Sequence, residues 1–228
     1  AALARLSGGR LRAGIGHGMP RWLHQVGQHP QSLMTCLAEV SETVRDLLAG
    51  QEVTFDGDQV HLDAVTLVHP PHEAVPLSLG VRGPKGIELA KELGLGVILA
   101  EGSSPDYVSR VRHALGPDLP ITVFTWCGID VDDAASGFAS VRPTIEAALQ
   151  KPYLAQQLGA LYGASSDDEA IRHLSVAGDQ KSCLESLRHL AESGADHVVL
   201  QPVSGREEEQ IALFGRHVIP HLAATQRV

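Results

Sequence analysis

Apolar runs of strand length alternate with helical periodicity along almost the whole chain. The strand-length runs fall at residues 11–16, 76–80, 96–100, 120–126 and 197–201. A helix is predicted over residues 30–49, because Leu33, Leu37, Val40, Val44, Leu47 and Leu48 recur every three or four positions and form one apolar stripe, which Gly50 closes. Ser104, Pro105 and Asp106 make a helix start, and the helix they open stops at Leu115 before Gly116 and Pro117. Asp179 caps a helix carrying Leu184, Leu187 and Leu190, which ends at Ser193 and Gly194. A last helix over residues 207–224 presents Ile211, Phe214, Val218 and Leu222 on one side.

Repeated strand and helix units with short connections imply a parallel sheet covered by helices, either an open doubly wound sheet or a barrel. Periodicity alone does not choose between them. Two segments break the rhythm: residues 51–75, polar with a turn expected at Asp56, Gly57 and Asp58, and a helical stretch over residues 132–173. The first residues, AALARLSGG, read as the end of a helix closed by Gly8 or Gly9. A parallel sheet that starts there has an apolar edge, so the pattern predicts either further chain on the N-terminal side or a partner over that edge.

The segment PLSLGVRGPKGIELAKELGLGVILAEG, residues 76–102, reads as strand, glycine-rich corner, helix and strand. Gly83 stands where a helix N-cap belongs, Pro84 at the first helical position and Lys85 after it. The unpaired N–H groups of a first helical turn carry partial positive charge, and Arg82 and Lys85 add two full charges, so the corner suits an anion such as phosphate. An ordinary loop with solvated basic residues has the same letters.

The 228-residue length suits one α/β domain. A net charge of −9 argues against general binding to nucleic acid or anionic membrane, while leaving room for a local basic pocket. Cys36, Cys127 and Cys183 are far apart and odd in number, which fits free thiols in a cytoplasmic protein better than a disulfide framework.

Five segments, taken in order, resemble the luciferase-like monooxygenase superfamily: LSGGRLRAGIGHGMPRW, LLAGQEVTFDGDQVHLDAVTL, the glycine-corner unit, SPDYVSRV and AGDQKSCLESLRHLAESGADHVVLQP. GVRGPKGIELAKELGLGVILAEG is most similar to the branch that uses the deazaflavin coenzyme F-420, the branch of methylenetetrahydromethanopterin reductase. The resemblance implies a TIM-type (β/α)8 barrel of which residues 1–228 form a single domain supplying strands four to eight. It implies a flavin- or deazaflavin-dependent oxidoreductase, with coenzyme F-420 or FMN as cofactor, a small organic substrate and a homodimeric state. The first three strands, which carry the acid–base histidine of some relatives, have no counterpart, so no catalytic residue is assigned.

The cofactor side does carry over. Active sites of such barrels lie at the C-terminal ends of the strands. Gly16, His17 and Gly18, together with Gly80, Val81, Arg82, Gly83, Pro84 and Lys85, are therefore expected around the coenzyme, with Glu101 at the end of the next strand. The chain departs from relatives at Met19, where some have an acidic residue, and at Leu95, where an aspartate is frequent.

Other candidates have competing structural readings. Trp22 and His24 either stack on the ring or pack the loop, and Ser103 and Ser104 either face the mouth or, for Ser104, cap a helix. Cys127 lacks a paired base and reads as a small buried hydrophobe. Arg142 reaches either a coenzyme tail or a surface carboxylate. His61, His69 and His72 lack metal-ligand spacing, so no metal is expected. A rival reading, motivated by the absent strands, is a non-catalytic flavin-binding partial barrel.

Overall fold

The computed structural model describes residues 1–151, 168–203 and 205–222. They form two compact units, Ala1–Ile98 with Ala114–Pro120, and Leu99–His113 with Ile121–Val228.

The first unit opens with the short helix Ala2–Leu6, closed by Gly8 and Gly9 at φ of 60° and 79°. Strand β1 (Ala13–Gly16) follows, then helices Pro20–Gln25 and Leu33–Leu48. The second starts later than residue 30 because the Ser32 hydroxyl takes the N-cap and accepts the Thr35 N–H at 3.1 Å. Residues 51–75 hold an antiparallel hairpin, β2 (Val53–Asp56) and β3 (His61–Val65), around the expected turn. Strand β4 (Leu77–Gly80), helix Pro84–Glu92 and strand β5 (Gly96–Leu99) complete a β/α/β unit. β4 pairs in parallel with both β1 and β5. Leu77, Leu79 and Val97 alternate into the core with Ile87 and Ala90 of the helix. Each fully buried branched side chain contributes roughly 1.5–3 kcal/mol of transfer free energy.

The second unit is organised on β6 (Ile121–Ile129), which pairs in parallel with β7 (Ser175–Gly178) and β8 (His197–Pro202). β6 runs three residues past the predicted end at Trp126 because its last four residues pair with β7, a short strand the apolar pattern did not reveal. Trp126, Val141, Ile145, Ala148, Ile171, Leu174 and Ala177 form one apolar cluster. It joins helices Ala134–Leu149 and Asp168–His173, which account for the described ends of the predicted stretch 132–173; residues 152–167 lie outside the described residues. Gln210, buried, clamps the end of β6 by accepting the Ile129 N–H at 2.6 Å and donating to its carbonyl at 3.0 Å. The predicted last helix is two, Glu207–His217 and Ile219–Leu222. Pro220 has no N–H to return to the Arg216 carbonyl and is tolerated only in the first turn of a helix, so the first helix stops before it and a short one restarts at Ile219. Residues 223–224 of that prediction lie outside the described residues. Among the described residues, no helix is long and apolar enough to cross a membrane.

Candidate functional site

β1 and β4 run side by side and end together, with Gly16 and Gly80 as register partners. Neither glycine has the positive φ that would demand its type. A Cβ on Gly16 would meet only Gly80 backbone, at 3.7 and 3.9 Å, and one on Gly80 would meet the Gly16 Cα at 3.6 Å and the Ile15 carbonyl at 3.7 Å. These are ordinary van der Waals separations. Packing within the protein therefore leaves room for a side chain at both strand ends, yet both are bare. Gly14 differs, since a Cβ there would lie 2.5 Å from the Ile98 Cδ1. The sequences AGIG and LSLG alternate small and large residues, so by the two-residue period of a strand Gly14, Gly16, Ser78 and Gly80 share one face. That alternation was the signal for a flat floor, and Ile98 is its one bulky neighbour.

Beyond Gly16, the exposed His17 ring places Nδ1 2.7 Å from the Gly18 carbonyl. Gly18 has φ +71°, a conformation suited to glycine, and turns the chain into helix Pro20–Gln25. Trp22 on that helix is 64% exposed, and His24 stacks on His29 with ring centroids 3.8 Å apart.

Beyond Gly80, Val81 is buried and its N–H extends the pairing to the Ile98 carbonyl at 3.3 Å. Its side chain lies against Gly86, where a Cβ would come within 2.7 Å, so the corner is tight. Gly83 is the N-cap at φ −85° and ψ 161°, Pro84 is at the first helical position, and no side chain caps the helix. The carbonyl of Gly83 takes the N–H groups of Gly86 and Ile87 at 3.0 and 3.2 Å. Arg82 is half-buried and Lys85 exposed at this uncapped end. The structure thus brings Gly16, His17, Gly18, Gly80, Val81, Arg82, Gly83, Pro84 and Lys85 onto the ends of two adjacent strands. Glu101 belongs to the other unit.

The remaining candidates have structural partners. The Ser104 hydroxyl accepts the Tyr107 N–H at 3.2 Å, the capping role, and Ser103 donates to the Ala100 carbonyl at 2.7 Å. Burial pushes the Cys127 thiol up to about 12, which removes it as a nucleophile near neutral pH. Arg142 pairs with Asp168 and, at 3.5 Å, with Glu146. His61 lies 2.8 Å from the Asp56 carboxylate. Among the described residues, no three His, Cys, Asp or Glu side chains cluster as a metal site would require.

Residues 1–197 match the family model described as luciferase-like monooxygenase. A 5,10-methylenetetrahydromethanopterin reductase from Methanolobus tindarius is 24% identical over 248 aligned residues, which cover 96% of this chain and 76% of that protein. Among solved structures, an F420-dependent secondary alcohol dehydrogenase in complex with an F420-acetone adduct superimposes with a TM-score of 0.74 at 20% identity, covering 96% of this chain and 72% of that one. The oxygenating constituent of 3,6-diketocamphane monooxygenase from Pseudomonas putida, in complex with FMN, does so with a TM-score of 0.67 at 15% identity, covering 96% and 73%.

Proposed function

Because this chain belongs to the luciferase-like monooxygenase family, we propose that it is a flavin- or deazaflavin-dependent oxidoreductase that binds its coenzyme across the ends of β1 and β4. The observation that carries this reading is the register pair Gly16 and Gly80, glycine at two places where neither φ nor packing asks for it. A side chain is missing where only a visitor from outside would need the space, and bare backbone suits the close approach of a flat ring. The coenzyme is coenzyme F-420 or FMN, and the first supplies hydride transfer while the second supplies oxygen activation.

The chain's own residues supply position and charge. The uncapped N-terminus of helix Pro84–Glu92 offers N–H groups and the positive end of the helix dipole to a phosphate, with Arg82 and Lys85 as cations beside it. Gly83 and Pro84 set the corner, and Val81 holds it to the sheet. His17, with Nδ1 occupied by the Gly18 carbonyl, presents its other ring nitrogen as a partner for a ring or substrate oxygen. Glu101 is assigned to the substrate or coenzyme tail from its place after β5. Homodimerisation is part of the proposal: among the described residues β1 pairs on one side only, and Leu3, Leu6, Trp22 and Val26 are exposed in the same unit. A cytoplasmic location suits the three free thiols.

Titration of the purified chain with coenzyme F-420 and with FMN, followed by absorbance and fluorescence, tests the reading. One of the two should bind. Arg82→Ala with Lys85→Ala should weaken that binding by about 1–3 kcal/mol. Binding of neither coenzyme overturns the function, and unchanged affinity in the double variant overturns the phosphate corner alone.

A further inference from the structure

We propose that the second unit carries a separate binding cleft for a small hydroxylated molecule bearing a phosphate or carboxylate group. The cleft measures about 230 Å³, below the 300–1,000 Å³ typical of drug-sized ligands, so it suits a molecule of few heavy atoms. It lies wholly within that unit, between the start of helix Pro105–Leu115, the end of helix Asp168–His173 and the length of helix Gln180–Glu192 from Ser182 to Leu190, over Thr125 of β6 and Ser175 of β7. It shares no residue with the coenzyme site and does not depend on that reading.

Its floor is built of hydroxyls. Of the eight polar residues that are buried among the described residues, Ser103, Thr125 and Ser175 line this one cleft, each no more than 5% exposed. Burying a hydroxyl is costly unless it is bonded, and the three meet that demand unequally. Ser103 and Ser175 donate their protons to the carbonyls of Ala100 and Ile171, both at 2.7 Å, and keep acceptor lone pairs for a ligand hydroxyl. Thr125 differs. Its contact to the Trp126 carbonyl, at 3.5 Å, is at the limit of a hydrogen bond, so among the described residues its proton remains available for a ligand oxygen.

The rim is cationic. The Arg172 guanidinium lies over the Phe138 ring, 4.4 Å from its centroid, and among the described residues no hydrogen bond takes its N–H groups. No carboxylate pairs with it in a salt bridge among the described residues. His173 and His189 complete the rim. The one acidic side chain of the lining, Glu185, has Lys181 at 3.8 Å to offset its charge. A guanidinium and two imidazoles above buried acceptors and one buried donor match an oxyanion carried on a hydroxylated frame.

The test uses the full chain carrying Arg82→Ala and Lys85→Ala, so that phosphate binding at the coenzyme corner is removed from the signal. Calorimetric titration with inorganic phosphate and with glycerol 3-phosphate should show saturable binding, tighter for the second. Arg172→Met keeps an apolar stem on Phe138 without the charge, and should weaken both by about tenfold or more. Thr125→Val should erase the preference for glycerol 3-phosphate, while the imidazole resonances of His173 and His189 should shift on binding in the parent only. Absence of saturable binding in the Arg82/Lys85 background, or equal affinity in Arg172→Met, would overturn the proposal.

Discussion

Glu39 does at the scale of one residue what a turn sequence alone would not. Its carboxylate, 8% exposed, accepts the N–H groups of Asp58, Gln59 and Val60 at 2.8, 2.8 and 3.0 Å, and so holds the hairpin tip to helix Leu33–Leu48. Burial alone would push this carboxyl up, but the three N–H donors, with His61 nearby, outweigh it and hold the group below its ordinary 4.5. Folding thus lowers the pKa. The stabilisation is complete above the unfolded value and is lost as the pH falls through the lower folded value. Glu39→Gln should lower the melting temperature at neutral pH and flatten the acid side of its pH profile, as followed by circular dichroism. Gly57 is the necessary neighbour, because a Cβ there would stand 2.5 Å from the Glu39 Cδ and 2.6 Å from the Phe55 Cε1. Gly57→Ala should cost about 1–3 kcal/mol in denaturant unfolding. The turn at Asp56, Gly57 and Asp58 was legible from its letters, but its anchor was not, since Glu39 reads as one more polar residue on a helix seventeen positions or more away.

At the scale of elements, the helices most legible in sequence are those whose ends are chemically marked. Asp179 accepts the Ser182 N–H at 2.8 Å and opens helix Gln180–Glu192, as its position predicted. Asp179→Ala should destabilise the protein by about 1 kcal/mol, measured by urea unfolding, and the difference should shrink in acid because the backbone N–H of Ser182 holds this carboxyl low. Elements without such marks escaped the sequence. β7 is the four residues SVAG, buried throughout, and nothing in so short a run separates a strand from a helix end. Its place is fixed from outside: a Cβ on Gly137 would come within 2.2 Å of the Gly178 carbonyl, so helix Ala134–Leu149 approaches the end of β7 at backbone distance. Helix Pro20–Gln25 escaped for a different reason, because it buries no residue fully and has no apolar stripe to read.

For the molecule as a whole, the alternation of apolar runs and helical stripes was enough to read parallel α/β architecture, and segments in order were enough to read the family. What the chain's letters did not show is where distant residues meet. Thr125, Arg172 and His189 come together in one cleft across more than sixty positions, with no local pattern to announce it. The same limit applies to the thiols. Cys127 and Cys183 are buried and pushed up to about 12, chiefly by burial, so that roughly one in 10,000 is thiolate at about pH 8. Cys36 is partly exposed. Titration of the native protein with an aromatic disulfide reagent should therefore count one thiol promptly, and all three only after unfolding.

The two unencumbered glycines at the strand ends also separate quantities that most positions entangle. A methyl group at residue 80 would fit the protein without strain and remove a flexible residue from a strand, so thermal screens would pass it as sound. The same methyl would stand where the ring is proposed to lie. Inherited changes at that position would accordingly leave abundance intact while silencing the molecule, a loss that surveys based on folding would overlook.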